Sequence, residues 1–258
     1  DGTPVLPAAG AAEWLAEVAQ ATWPDWQVAE VADLDVLAGV PLRDDQPRAL
    51  QVLAKASSHS GDGDQWATLD LRAAGDPRAL YRARVRLVLP QVDLAADAPA
   101  LPPALTGATT LDIAQAYRER LFHGPRFQLV DRIEALDEAG IDVLLHPSSP
   151  AEWITHAAGR WMFDPGVLDC APQLAIVWAR HFHDTTVLPS RFGRVQRLQP
   201  GPLPARLRLQ LRVRTYANAQ MRYDAWVSDA DSGTLYLALS DIAGTGSAAL
   251  NRLAGTTA

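Results

Sequence analysis

Hydrophobic positions along this chain switch period twice, each time in the same order. Residues 8–22 place Leu15, Val18 and Ala19 on one face with Ala11, Ala12 and Trp14 beside them, which predicts an amphipathic helix. Pro7 stands near its start, where a missing N–H is harmless. Strand-like segments follow at 26–37, 48–56, 66–73 and 80–89. In the last of these Tyr81, Ala83, Val85, Leu87 and Leu89 alternate with Arg82, Arg84 and Arg86, the period of a half-buried strand. A Pro-rich passage with Pro90, Pro99, Pro102 and Pro103 then reads as a linker. Beyond it come a short helix over 110–121, strands at 127–136 and 140–146, and a second long helix over 167–182. Strands follow again at 186–198, 205–216, 221–229 and 234–243, with Asp229 to Gly233 as a turn. Helix then antiparallel meander thus occurs twice, a repeat of pattern rather than of identity. It predicts an α+β fold in which antiparallel sheets, dry on one face and wet on the arginine face, wrap a central helix.

The 258 residues are 48% hydrophobic, enough for one large domain or two small fused ones. No run of apolar residues is long enough for a membrane span, and no secretory signal is visible. Cys170 is the single cysteine, so no internal disulfide forms, which fits a reducing cytoplasm. A formal charge of −7 argues against nucleic acid as a partner. The chain begins at Asp1 without a methionine and reads as a piece of something longer.

The stretch Val167-Leu168-Asp169-Cys170-Ala171-Pro172-Gln173-Leu174 carries the candidate chemistry. Asp169 and Gln173 are one helical turn apart and share a side. A carboxylate on a buried helix head is costly unless something uses it. Read alone, Asp169 is a helix N-cap or a catalytic acid, and Gln173 an ordinary helix residue or its partner. Cys170 reads as a buried structural thiol. His181 and His183 lack converging carboxylate or Cys partners, so no metal site is expected. His59 is expected in a solvated loop, His146 at a strand end, and His156 in a loop or short helix. His123 is a turn histidine or a lining residue. There is no nucleophile elbow or phosphate loop, and Gly244-Thr245-Gly246 reads as a frayed tail.

Four motifs in order resemble one family. Gly2 and Pro7 resemble the tail of the HxxxGxxxxP motif of polyketide-synthase dehydratase domains, and Asp169 to Gln173 their DxxxQ motif. His123-Gly124-Pro125-Arg126-Phe127 resembles their YGPxF motif with His for Tyr, and Leu188-Pro189 the start of their LPF motif. The run from Pro4 to Leu15 is closer to dehydratases of polyunsaturated-fatty-acid and enediyne-type synthases than to those of modular enzymes. The motif His, four residues before Gly2, would precede Asp1.

The resemblance implies a double hotdog: two antiparallel sheets, each wrapped around a long central helix. Residues 1–90 would form the first half, 91–109 the linker and 110–258 the second half. It implies a 3-hydroxyacyl-carrier-protein dehydratase, a domain of a polyketide or fatty-acid synthase that gives 2-enoyl thioesters. No cofactor is implied beyond the phosphopantetheine of an acyl carrier protein, which would be the partner together with neighbouring synthase domains. The motif His would be the base and Asp169 the acid. Gln173 would hold the Asp169 carboxyl or the substrate hydroxyl. Gly2, Val5, Leu6, Pro7, His123, Gly124, Pro125, Phe127, Leu188 and Pro189 would line the substrate path. Backbone N–H groups around Val5 to Ala8 would face the thioester oxygen. Whether Asp169 is charged stays open, since a helix head favours the anion and an apolar tunnel the acid. The rival readings are a non-catalytic acyl-binding or scaffolding double hotdog and, more weakly, a hotdog thioesterase.

Overall fold

The computed structural model describes residues 4–42, 47–59, 64–155 and 159–254. Helix α1 spans Ala8–Thr22 and is followed by β1 (Gln27–Val36), β2 (Leu50–His59), β3 (Gln65–Ala73) and β4 (Ala79–Val88). Helix α2 (Ile113–Glu119) leads through a 3-10 turn, Pro125–Phe127, to β5 (Val130–Asp137) and β6 (Gly140–Leu145). A one-turn helix α3 (Pro150–Trp153) precedes α4 (Pro165–His183), then β7 (Thr186–Arg197), β8 (Leu207–Ala217), β9 (Gln220–Asp229) and β10 (Leu235–Ser247). His59, expected in a loop, is the last residue of β2, opposite Gln65.

The strands form one ten-stranded sheet in the order β2-β3-β4-β1-β7-β10-β9-β8-β6-β5. Every neighbouring pair is antiparallel. Helix α1 packs on β1 to β4, α4 packs on β6, β7 and β8, and the two helices touch. This is the double hotdog, and its two sheets join edge to edge where β1 pairs with β7, Val31 opposite Val195. Fusing the sheets along β1 and β7 removes two edges that would otherwise expose unpaired backbone.

The outer face carries the alternating arginines, and several meet an acid across or along the strands. Arg82 meets Asp70, Arg194 meets Glu30, Arg208 meets Glu134, and Arg212 meets Asp142. Such cross-strand pairs fix register more than they add stability. The Pro-rich passage lies along this face of the second half. Leu105 N–H reaches Asp142 at 3.0 Å, and the Arg212 guanidinium donates to Pro103 O at 2.7 Å.

Two corrections to the sequence reading concern the ends of elements. Gly244 to Gly246 is not a frayed tail; it is part of β10, paired with Pro189, Leu188 and Val187 of β7. A Cβ on Gly244 would lie 2.5 Å from Val187 Cγ1, and one on Gly246 2.7 Å from Thr185 Cγ2. Close strand packing, not chain-end flexibility, is what these glycines serve. Helix α4 also begins two residues earlier than the periodicity indicates. Asp164 is its N-cap, accepting N–H bonds from Gly166 at 2.9 Å and Val167 at 3.2 Å, and Pro165 takes the first helical position. The cap reading of Asp169 is therefore overturned, since Asp169 lies inside the helix.

Candidate active site

Every residue of α4 from Pro165 to Ala179 is buried, so any polar side chain there must find partners inside the protein. Asp169 and Gln173 are the two such residues that face each other. Gln173 Nε2 donates to Asp169 Oδ2 at 2.9 Å and to the Phe127 carbonyl at 3.0 Å. Its Oε1 accepts the Tyr117 hydroxyl at 3.2 Å, and that hydroxyl in turn accepts Val130 N–H at 3.4 Å. The amide is thus fixed on both ends, and it fixes one oxygen of the carboxylate.

The 3-10 turn explains why Phe127 O is available. Gly124 caps the turn, Pro125 opens it, and Phe127 N–H closes it on Gly124 O at 2.9 Å. His123, just before the turn, stacks on Phe122 with ring centroids 4.5 Å apart and 21° between planes. Gln128 Nε2 holds its carbonyl at 2.9 Å. The His123 side chain is 13% exposed, and its Nε2 lies 3.4 Å from Asp169 Oδ2. Burial lowers the His123 pKa, opposed by the Asp169 charge. Burial raises the Asp169 pKa, opposed by His123 and the Gln173 hydrogen bond. Desolvation wins on both, so the carboxyl carries a proton more readily than a free aspartate and the imidazole carries one less readily.

The head of α1 is held rigid. Leu6 N–H donates to Val40 O at 2.9 Å, and the buried Tyr81 hydroxyl donates to Leu6 O at 2.6 Å. Burial pushes the Tyr81 hydroxyl up to about 12, so it stays a donor. Among the described residues no side chain caps the first turn of α1. Glu13, on the same helix, is fully buried. Its carboxyl accepts Met162 N–H at 2.9 Å and Phe163 N–H at 2.7 Å, which ties α1 to the segment that enters α4.

The family model described as the polyketide synthase dehydratase N-terminal domain matches residues 90–246, more than half of the chain. The chain belongs to the polyketide synthase dehydratase family. It is similar to a subunit of the polyunsaturated fatty acid synthase of Thraustochytrium sp. (strain ATCC 26185 / S-3), at 27% identity over 203 residues. That match takes in 78% of this chain and only 7% of the relative. Solved dehydratases share the fold. The dehydratase domain from the CurJ module of curacin polyketide synthase superposes with a TM-score of 0.70 at 13% identity, over 95% of this chain and 84% of that one. The dehydratase domain of PpsC from Mycobacterium tuberculosis, in complex with C12:1-CoA, gives 0.68 at 20% identity, over 94% and 85%.

Of the residues the dehydratase motifs single out, the structure brings together Asp169, Gln173, His123, Gly124, Pro125 and Phe127. Val5 is 56% exposed, Leu6 is buried in the core, and Pro7 is the α1 N-cap. Of the N–H groups around Val5 to Ala8 expected to face a thioester, that of Leu6 is engaged by Val40 and Pro7 has none. Leu188 and Pro189 sit on β7 opposite Thr245 and Gly244. Gly2 and His156 lie outside the described residues. Cys170 Sγ donates to Gly166 O at 3.3 Å, and burial raises its pKa, so it is an inert thiol.

Sequence reasoning missed Tyr117, Tyr223 and Glu13. Tyr117 was readable in part, since Ile113, Ala116 and Tyr117 form the one apolar face of a short helix. Tyr223 is fully buried in β9, and its pKa is raised by burial and by the Asp169 charge. Its alternation in the strand looks like that of any core aromatic, so no sequence signal separates it.

Proposed function

We propose that this chain is a working dehydratase that removes water from 3-hydroxyacyl thioesters carried by an acyl carrier protein, giving 2-enoyl thioesters. The observation that carries this reading is the buried Asp169 carboxyl, with burial favouring its acid form and Oδ2 held by Gln173. Among the described residues no hydrogen bond is made by Oδ1, which leaves that oxygen for the substrate hydroxyl.

In the reaction a base takes the proton alpha to the thioester carbonyl, and that electron pair becomes the new double bond. The C–O bond at the 3-position breaks. Asp169 gives its proton to the departing hydroxyl, which leaves as water. By family resemblance the base is the motif His that would precede Asp1, and neighbouring synthase domains would supply and accept the carrier. The first turn of α1 from Ala8 onward, whose backbone N–H groups no side chain caps among the described residues, suits the thioester oxygen.

The test is to incubate the chain, with its natural upstream residues, with a 3-hydroxyacyl pantetheine thioester. The expected product has lost one water and keeps the thioester. Release of free thiol instead would make it a thioesterase. A folded protein with no turnover would make it the non-catalytic member that the sequence leaves as an alternative.

A further inference from the structure

His123 is unusual in its surroundings. Its ring is held by Phe122 on one face and is buried against α4. Nε2 faces Asp169 Oδ2 at 3.4 Å, while Nδ1 is buried and makes no hydrogen bond among the described residues. A neutral imidazole has one N–H to place. On Nδ1 that N–H would have no acceptor, and the Nε2 lone pair would confront Oδ2, which already accepts the Gln173 amide. On Nε2 it lies on the side of Oδ2, 3.4 Å away and outside hydrogen-bond geometry in the unliganded chain, and leaves only a lone pair at Nδ1. With the Gln173 amide on Oδ2 and the His123 N–H nearest that same oxygen, the carboxyl proton belongs on Oδ1, the oxygen without a protein partner among the described residues.

We propose that His123, as an Nε2–H donor, is the positioning residue that keeps the Asp169 proton on Oδ1 and steadies the carboxylate left when that proton departs. This rests on the dehydratase reading of the same site. During turnover the Oδ1 proton passes to the leaving hydroxyl. The negative charge that appears on Asp169 is then shared between the Gln173 amide and the His123 N–H. The separation of 3.4 Å is long for a hydrogen bond, as catalytic contacts often are before substrate is present, and in this role the pair shortens in the substrate complex.

The groups around Asp169 leave His123 as the one that can act this way. Gln173 faces the carboxyl from its own helix and does not titrate. Tyr223 approaches from β9, and Tyr117 of α2 reaches it through Gln173. Burial raises the pKa of both tyrosines and of Cys170, so all three stay neutral as Asp169 titrates. Among the described residues, arginines and lysines are absent from the groups acting on Asp169.

The experiment has an activity arm and a spectroscopic arm. His123→Phe keeps an aromatic ring against Phe122 and removes the donor; its kcat should fall on the order of a hundredfold with little change in KM. Without the donor the carboxylate is less favoured, so Asp169 keeps its proton to higher pH. The basic limb of the kcat profile should therefore move up in pH. His123→Gln, which can present an amide N–H in the same direction, should recover most of the rate and return the limb toward its original place. In the unliganded wild-type chain, 15N NMR should find the His123 proton on Nε2 with Nδ1 bare. A proton on Nδ1, an unmoved basic limb in His123→Phe, or equal loss in the Phe and Gln variants would overturn the proposal. All rates are read on the chain extended upstream through the dehydratase motif; absence of wild-type turnover in that folded protein would instead count against the dehydratase reading, and the NMR arm still reads the pair.

Discussion

Glu13, on α1, accepts the backbone N–H of Phe163 at 2.7 Å, across 150 positions of sequence. With the bond from Met162, this one carboxyl anchors the entry to the helix that carries Asp169 against the helix of the other half. The halves are joined by the β1–β7 pairing on the outside and by Glu13 on the inside.

Replacing Glu13 by Gln should destabilise the fold by roughly 1–3 kcal/mol, because one of the two N–H groups then meets an amide NH2 instead of an oxygen. Denaturant unfolding of the two proteins at one pH measures it. An unchanged midpoint and slope would show that the contact is dispensable.

The same residue gives stability a pH dependence. Burial pushes the Glu13 carboxyl from 4.5 up to about 8, against the pull of its two N–H bonds. The folded protein therefore holds a proton that the unfolded chain has released. The resulting stabilisation is full below about pH 4.5 and is lost as pH rises toward 8, by a few kcal/mol, at about 1.4 kcal/mol per unit. Unfolding free energies across this window should decline for the wild type and decline less for Glu13→Gln. Parallel curves for the two proteins would assign the dependence elsewhere.

Gln173→Leu should cost both stability and rate. It strips the Phe127 carbonyl, the Tyr117 hydroxyl and Asp169 Oδ2 of one partner each. The expected loss is about 1–3 kcal/mol in unfolding free energy. The dehydration rate should fall by roughly ten times or more, on the order expected for a lost positioning contact. A folded variant with the wild-type rate would mean that the amide does not hold the acid.

Gly140→Ala should be far more damaging than its place at the start of a strand suggests. A Cβ there would lie 1.9 Å from Leu211 O, so β6 could not keep its pairing with β8. The expected destabilisation is on the order of 3 kcal/mol, read as a drop in melting temperature. A tolerated Ala would require that the β6–β8 pairing shift locally.

By resemblance, an upstream extension through the dehydratase motif should raise the dehydration rate of residues 1–258 by on the order of a hundred- to ten-thousand-fold, the contribution of a positioned base. Equal rates for the two chains would place the base within these residues.

Much of this fold is legible in the sequence. The helix over 8–22 appears at Ala8–Thr22 because its small and apolar residues recur at helical spacing. The alternating arginines mark β4 and β8 because one face of each strand is dry and the other meets acids. Asp169 and Gln173 are readable because one helical turn separates them. The start of α4 is not, since Pro165 and Gly166 carry no apolar period and the cap, Asp164, lies outside the periodic stretch. The approach of His123 to Asp169 and of Glu13 to Phe163 is fixed by long-range packing that no local pattern encodes. Gly244 and Gly246 look like chain-end residues in sequence because their role depends on the width of the strand beside them, which only the paired strand supplies.

Asp169 is the acid on which the proposed dehydration depends, and Asp169→Asn tests that role most directly. Asn matches the shape of Asp and can still pair with Gln173, so the variant should fold with a melting temperature close to the wild type. It should convert almost none of a 3-hydroxyacyl-carrier substrate to the product lighter by one water, where the wild-type protein with its upstream residues converts it readily. Wild-type turnover in the folded variant would contradict this role and reduce Asp169 to a structural residue.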